Sequence, residues 1–377
     1  MNSFVHFFSF SLIASVCHYF FQLLLARTLG NTAFADFAGL WAKVNFWMVL
    51  GTWAQYWSVL LPSSKSIFKR VFGLGHLVAL VLMIVFILTN QLIFLFVAVV
   101  GASICHAILC GRLLNQANFQ RMGIINVVAG VIKIILLLLI PREYLTAPFI
   151  FTILYTSFVL THIFNALYPS QDAPVSTFHG SSSSFSGSLL LAFATHFFSG
   201  ADLLWADTFQ KTHSMATIAP LSLVSRGFFF LQMILAQWLL PQANLYEGQR
   251  KKWSLGVISG LVLLGSVLCT PVLMFLLEHA LSWKNLPSFQ LFYLSIVNAG
   301  FMAFHFQFMQ MLTIKGKNHK VFIMLALILI VWAISGLRAV NIEWYFILQA
   351  LFHFFAIYIS FQELKKKNDS DLLSKTL

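Results

Sequence analysis

The sequence predicts an all-α membrane protein with about twelve transmembrane helices in two bundles of six. Hydrophobic residues make up 59% of the 377 residues and charged residues only 9%, whereas a soluble domain carries about 25% charged residues. The apolar residues form long continuous runs, without the inside–outside alternation of barrel strands. A segment at residues 23–62 also returns in the second half of the chain, which indicates a duplicated bundle.

Two short echoes mark the ends of the repeated segment. The run LLLART at residues 23–28 is matched by LLWADT at 203–208, and LLP at 60–62 is matched by LLP at 239–241. Both pairs lie about 180 residues apart, and each ends a hydrophobic span at the same point. We therefore interpret the two halves as equivalent bundles, with helices of the same orientation in both.

Six apolar spans precede the midpoint of the chain and six follow it. We expect an N-terminal bundle over residues 1–168, with spans at 4–26, 38–61, 72–89, 91–111, 123–140 and 147–168. A stretch rich in Ser, Pro and Gly at 169–187 is typical of a flexible linker. We expect the C-terminal bundle over residues 188–362, with spans at 188–208, 218–241, 254–277, 288–313, 321–336 and 343–361, before a polar tail at 363–377.

The basic residues predict how these spans are oriented. Of the 23 Lys and Arg residues, 15 lie on the even-numbered connections or in the tail, and five lie on odd-numbered connections. Because basic connections stay on the cytoplasmic side, we expect both termini, the linker and the tail to be cytoplasmic. The net charge of +12 is mostly a consequence of this topology, so it does not indicate nucleic-acid binding.

The sequence shows no pattern of an enzyme or metal protein. It contains no phosphate-binding P-loop, and its histidines lack the paired spacing of metal ligands. We therefore expect no catalytic activity, no cofactor and no metal ion. For the histidines within spans we favour packing or hydrogen bonding between helices over chemistry; these are His18, His106, His162 and His305.

Charged residues within or against the spans are the candidate functional residues, because each costs a few kcal/mol unless it is paired or hydrated. Lys133 lies near the middle of the fifth span among Val, Ile and Leu, where a water-filled interior would suit it. Asp202 and Arg226 lie about 10–13 Å deep on consecutive antiparallel spans. They form either a structural ion pair or part of a hydrated path. The full candidate set is Arg27, Asp36, Lys43, Asn45, Lys133, Asp202 and Arg226.

The first hairpin resembles a known family. The runs ARTLG at 26–30 and FADF at 34–37 look like the first-hairpin signature of polysaccharide and O-antigen flippases, which belong to the multidrug/oligosaccharidyl-lipid/polysaccharide (MOP) exporter superfamily. Asp202 and Pro241 stand where these proteins often have Asp and Pro. The sequence departs from the family pattern at Ala35, which replaces the usual Gly, and in lacking a Gly-x-Tyr after the second-half turn.

The resemblance implies two six-helix bundles around a central cavity that opens alternately to each side of the cell inner membrane. The implied substrate is a polyprenyl-pyrophosphate-linked oligosaccharide for cell-surface polysaccharide biosynthesis. Cationic side chains would meet the pyrophosphate, and polar or aromatic side chains would meet the sugars. The cationic set is Arg27, Lys43, Lys133 and Arg226, and the sugar-facing set is Asn45, Trp47, Gln55 and Trp205.

The expected partners are the lipid-linked oligosaccharide and membrane lipid. A polysaccharide polymerase and glycosyltransferases are candidate protein partners, and we expect the transporter itself to be a monomer.

Three alternative functions stay open. A multidrug or cation exporter of the same superfamily would favour acidic residues in its cavity. A polysaccharide polymerase or ligase would carry a long external loop, whereas the odd-numbered connections here reach only about ten residues. A membrane scaffold without transport activity would not need buried Lys133 and Arg226.

Overall fold

The computed structural model describes most of the chain. The described residues are 2–60, 65–115, 118–167, 182–209, 215, 217–230, 255–280, 286–338 and 340–376. Within these ranges the structure has α-helices, one short 3-10 helix at Arg142–Tyr144 and no strands. The all-α class is therefore confirmed.

The described residues form the following α-helices in chain order. Those before the midpoint are α1 Asn2–Trp47, α2 Val49–Leu60, α3 Lys65–Thr89, α4 Leu92–Asn115, α5 Phe119–Leu139 and α6 Ala147–Leu167. Those after it are α7 Ser182–Phe209, α8 Thr217–Phe230, α9 Leu255–Ala280, α10 Phe289–Ile314, α11 Asn318–Leu337 and α12 Ile342–Thr376.

Nine helical segments in the described ranges are long and apolar enough to cross a membrane. They are Leu12–Gly30, Leu92–Leu113, Gln120–Leu139, Ala147–Leu167, Ser186–Phe209, Gly260–His279, Phe289–Thr313, Asn318–Leu337 and Ile342–Leu364. Two shorter apolar helices, Gly73–Thr89 and Thr217–Phe230, fall on the predicted third and eighth spans. A helix satisfies its own backbone groups, so segments of this kind are stable in hydrocarbon. The chain is thus a multi-pass membrane protein.

Polar side chains at helix ends explain where some helices begin. The Asn118 side chain accepts a hydrogen bond from the Arg121 backbone N–H at the start of α5. The Ser288 hydroxyl accepts one from the Leu291 N–H at the start of α10. These caps satisfy backbone donors that have no partner inside the helix.

The first hairpin differs from the prediction. The predicted spans at 4–26 and 38–61 imply a turn between residues 26 and 38. The structure is instead helical on both sides of a single break at Gly30, where φ is 76° and ψ is 173°. A residue with a side chain rarely adopts this backbone conformation, so the break falls at a glycine. The second span therefore begins directly after Gly30, and Asp36 lies on a helix rather than in a loop.

The chain forms two compact units, residues 1–192 and residues 193–377. The division falls inside α7. Residues 168–181, which make up most of the predicted linker, lie outside the described ranges. The predicted boundaries at residues 168 and 188 stay a prediction.

Equivalent helix pairs pack in the two units. In the N-terminal unit α3 packs on α4, α4 on α6 and α5 on α6; in the C-terminal unit the helices six places later do the same. The α1–α5 pair also has a counterpart, because the Trp332 indole N–H of α11 donates to the Ala201 carbonyl of α7 at 3.0 Å. This matching order is what a duplicated bundle requires.

Helices α2 and α4 approach closely at Gly111. A Cβ atom at this position would overlap the Ser58 hydroxyl and the backbone carbonyl of Gln55. Because the Gln55 carbonyl belongs to helix α2, it cannot rotate away, and the helices would have to separate. We expect Gly111→Ala to destabilise the protein by about 1–3 kcal/mol, measured as a lower unfolding midpoint in detergent.

Gly260 provides a matched control for this prediction. It also lies in a helix, but a Cβ atom there would meet nothing within 4 Å. Gly260→Ala should stabilise the protein slightly, since alanine restricts the unfolded chain by about 0.4–1 kcal/mol. Equal midpoints for the two variants would contradict the close approach of α2 and α4.

Candidate functional site

The predicted site residues fall into two groups by exposure. Lys133 and Arg226 are buried, with 7% and 8% of their surface exposed. Asp202 and Asn45 are partly buried. Arg27, Asp36 and Lys43 on α1 are exposed. The two buried cations belong to different units, so each is described within its own unit.

Lys133 lies in the interior of the N-terminal unit. Its Nζ donates to His18 Nδ1 of α1 at 3.4 Å and lies 4.9 Å from the centre of the Phe158 ring of α6. A ring face attracts a cation, and an imidazole nitrogen accepts its hydrogen bond. Neither partner carries a negative charge, so these contacts orient the ammonium group without neutralising it.

Three histidines meet beside Lys133, which the sequence analysis did not predict. His76 Nε2 of α3 and His162 Nδ1 of α6 form a hydrogen bond. The His106 ring of α4 stacks on His162 with ring centres 5.6 Å apart, and His106 Nε2 donates to Asn126 Oδ1 at 3.0 Å. In the described part of the chain no group of three His, Cys, Asp or Glu side chains has the geometry of a metal site. The arrangement is therefore a hydrogen-bonded polar cluster that bridges four helices.

No pattern in the sequence identifies this histidine cluster. His76 and His162 are 86 positions apart, and Lys133 and His18 are 115 apart. Helix packing brings them together, and only the apolar surroundings of Lys133 suggested a polar interior.

The C-terminal unit encloses a polar cavity of about 20 Å³. Its polar lining includes Asp202 of α7, Ser225 and Arg226 of α8, Asn298 of α10, and Gln349 and His353 of α12. A volume of about 10–15 Å³ is enough for one water molecule. The cavity therefore suits water or a small ion and is far too small for a sugar.

Asp202 and Arg226 face this cavity without a direct ion pair. Asp202 accepts hydrogen bonds from the Leu203 backbone N–H at 2.9 Å and the Ser225 hydroxyl at 3.4 Å. Arg226 Nε and Nη2 are buried and have no hydrogen-bond partner among the described residues. Buried guanidinium donors are costly to leave unsatisfied. The structural ion pair considered above is thus not formed directly, and the two charges act on each other through the cavity.

Trp205 is not available as a sugar-stacking surface. The residue is fully buried, its indole N–H donates to the Ser335 hydroxyl at 3.1 Å, and its ring stacks on Tyr345 at 4.3 Å between centres. Both its polar and its aromatic contacts are made inside the unit. Trp47, by contrast, is 61% exposed and stays a candidate.

Solved structures of other proteins have the same arrangement of helices as this chain. An inward-facing multidrug resistance MATE family transporter of the MOP superfamily superposes with a TM-score of 0.63 at 11% identity, covering 96% of both chains. A MATE protein in complex with MaD5 gives 0.56 at 12%, covering 98% of this chain and 96% of that one. The fold is that of MOP-superfamily transporters. A MOP superfamily transporter from Pyrococcus furiosus gives 0.52 at 14%, covering 97% and 95%.

No protein-family model and no curated protein sequence matches the chain. At 11–14% identity the solved structures establish the MOP fold and do not establish a substrate. The predicted fold class is confirmed. The resemblance to polysaccharide flippases is supported at the level of the fold, because the neighbours named above include MATE family transporters of the MOP superfamily.

Proposed function

We propose that this MOP-fold protein is a transporter that moves a polyprenyl-pyrophosphate-linked oligosaccharide across the cell inner membrane for cell-surface polysaccharide biosynthesis. The observation that carries the proposal is Lys133, a cation buried among α1, α5 and α6 whose contacts are an imidazole and a phenyl ring. A buried positive charge acts over a longer range than a solvated one, because little water screens it. It favours an anionic headgroup and disfavours an organic cation.

Exposed cations on α1 supply the direct contacts in this proposal. Arg27 and Lys43 are accessible in the present conformation, whereas Lys133 is not. A guanidinium group binds phosphate oxygens in a bidentate manner, and an ammonium group acts as a point charge. Arg27 and Lys43 therefore bind the pyrophosphate first, and Lys133 contributes through its field or through helix movements that expose it.

A neighbour with the same fold offers a precedent for a changed pocket charge. The Pyrococcus furiosus MOP superfamily transporter is described as having a binding pocket of reverse polarity, which suggests a different function for that protein. The MOP fold is therefore compatible with more than one pocket polarity. In the present chain, basic side chains outnumber acidic ones among the candidate residues.

A multidrug exporter is the second candidate function. The neighbours named above include a multidrug resistance MATE transporter, and Asp36 and Asp202 would be the partners of an organic cation in this chain. Asp36 is exposed, but Asp202 faces a cavity of about 20 Å³ that cannot admit a drug. Of these two carboxylates, Asp36 alone is thus accessible to an organic cation in this conformation.

Transport by purified protein distinguishes the two candidates. Proteoliposomes are prepared with a polyprenyl-pyrophosphate disaccharide or with ethidium inside. We expect the disaccharide to become accessible to an impermeant glycosidase outside, at a rate at least tenfold above that of protein-free vesicles. Ethidium efflux should stay at the protein-free rate. Ethidium efflux without disaccharide movement would favour the exporter and overturn the proposal.

The proposed topology places both termini in the cytoplasm. Cysteines introduced at Glu143, between α5 and α6, and at His319, at the start of α11, test it, because both positions are exposed. In intact cells an impermeant thiol reagent should label Glu143→Cys and leave His319→Cys unlabelled. After cell lysis both should be labelled. Labelling of His319→Cys in intact cells would reverse the orientation.

A further inference from the structure

Two histidines form a fully buried pair in the C-terminal unit. His305 of α10 and His353 of α12 each have 0% exposure, and their Nδ1 atoms lie 2.8 Å apart. We refer to them as the C-terminal histidine pair. The Nε2 atoms of both rings are buried and have no hydrogen-bond partner among the described residues.

The geometry of this pair leaves one basic nitrogen unused. An Nδ1–Nδ1 hydrogen bond between neutral imidazoles needs one ring to donate and the other to accept. The donating ring carries its single N–H hydrogen on Nδ1, so its Nε2 keeps an unused lone pair. A proton added there converts the ring to imidazolium and makes the existing hydrogen bond charge-assisted, which strengthens it. The pair is thus preorganised to hold one additional proton.

The cavity places room for a water molecule and charged groups beside the pair. His353 lines the cavity together with Asp202 from α7, Arg226 from α8 and Tyr345 from α12. In the described ranges α11 contributes only Ile328 to the lining, and α9 contributes no residue. The charges of Asp202 and Arg226 cancel each other. While both histidines of the C-terminal pair are neutral, the site around the cavity therefore carries no net charge. A proton on the pair lets imidazolium compete with Arg226 for the Asp202 carboxylate.

The N-terminal unit repeats this placement. His106 lies on α4 and His162 on α6, the helices six places before α10 and α12, and their ring centres are 5.6 Å apart. We refer to them as the N-terminal histidine pair. Packing alone does not require the same residue type on the same two helices in both units. The titratable or charged groups around this pair are His18, His76, Cys110 and Lys133.

The hydrogen bonds of the two pairs differ, because His106 Nε2 donates to Asn126 and His162 Nδ1 bonds His76. We propose that the C-terminal histidine pair is a proton-binding site and exchanges its proton through the cavity that holds Asp202 and Arg226. Histidine suits this role because a neutral imidazole can bind one more proton. The proposal does not depend on the identity of the transported substrate, since it concerns proton uptake by the protein itself.

Titration of the imidazole rings tests the proposal. The full-length protein is labelled with ¹⁵N-histidine, placed in lipid nanodiscs and followed by NMR from pH 5 to pH 8. Subtracting the spectra of His305→Asn or His353→Asn from the wild-type spectra should reveal an imidazole signal that changes from neutral to cationic. Because one proton is shared, each single variant should lose this transition, and the double variant should lose nothing further.

Asparagine is the suitable replacement, because its side-chain amide lies near the position of Nδ1 and can keep the hydrogen bond of the pair. His279→Asn is the control, since His279 is exposed at the end of α9 and outside both pairs. It should leave the pair signal intact. If one C-terminal variant aggregates, the other one provides the same readout. Difference signals that remain neutral from pH 5 to pH 8 would overturn the proposal.

Discussion

Lys133→Met should reduce oligosaccharide export at least tenfold while leaving the amount of folded protein unchanged. Methionine matches the length of the lysine side chain and removes a charge that is 7% exposed and has no acidic partner among its contacts. Replacing a buried charge that has no acidic partner by an apolar group of similar volume removes its desolvation cost, so the fold should not be weakened. If Lys133 served only the fold, its loss would therefore do no harm.

Export is measured as surface glycan in cells and as glycosidase accessibility in proteoliposomes. Lys320→Met is the matched control. Lys320 lies at the start of α11, is partly exposed, and forms an ion pair with Glu363 of α12. Loss of an exposed ion pair costs about 0–1 kcal/mol, and export should stay at the wild-type level. Normal surface glycan in the Lys133→Met strain would remove Lys133 from the transport mechanism.

Neutralising Asp202 and Arg226 together should restore protein abundance without restoring export. Asp202→Asn leaves a buried guanidinium that cannot lose its proton, and uncompensated buried charges cost about 3–5 kcal/mol. Arg226→Met should be milder, because the Asp202 carboxylate keeps its hydrogen bonds from Leu203 and Ser225 and can neutralise itself by binding a proton. The double variant leaves no unbalanced charge at the cavity.

Membrane abundance and export are compared across the two single variants and the double variant. Ser295→Ala is a control at the same cavity, since it lines the cavity without charge and its hydroxyl bonds the Phe292 carbonyl in its own helix. Export restored together with abundance in the double variant would show that the two charges serve only the fold. A lower abundance for Arg226→Met than for Asp202→Asn would contradict the asymmetry between the two groups.

The first hairpin and the histidines show where sequence analysis fails. Charged and polar residues between 26 and 38 suggest a turn of about ten residues, yet Gly30 alone breaks the helix, because its backbone reaches a conformation closed to other residues. The histidines look isolated in the sequence. In the structure His76 meets His162 and His305 meets His353 across neighbouring helices. Helix periodicity specifies which face a residue occupies, but the partner face depends on packing.

The sequence by itself determined the all-α membrane class and the apolar spans. Transfer of apolar side chains from water to hydrocarbon is roughly additive over a segment, so composition and run length suffice for these features. It also identified Lys133 and Arg226 as interior charges, since their apolar neighbours allow no solvated position.

Only the tertiary structure decided which polar groups meet. The contact of Lys133 with His18, the two histidine pairs and the cavity shared by Asp202 and Arg226 join residues of different helices. Hydrogen bonds act over a few ångströms and depend on orientation, and the strength of a charge interaction depends on distance and surroundings. They are therefore fixed by how the helices pack, which no local pattern in the sequence encodes.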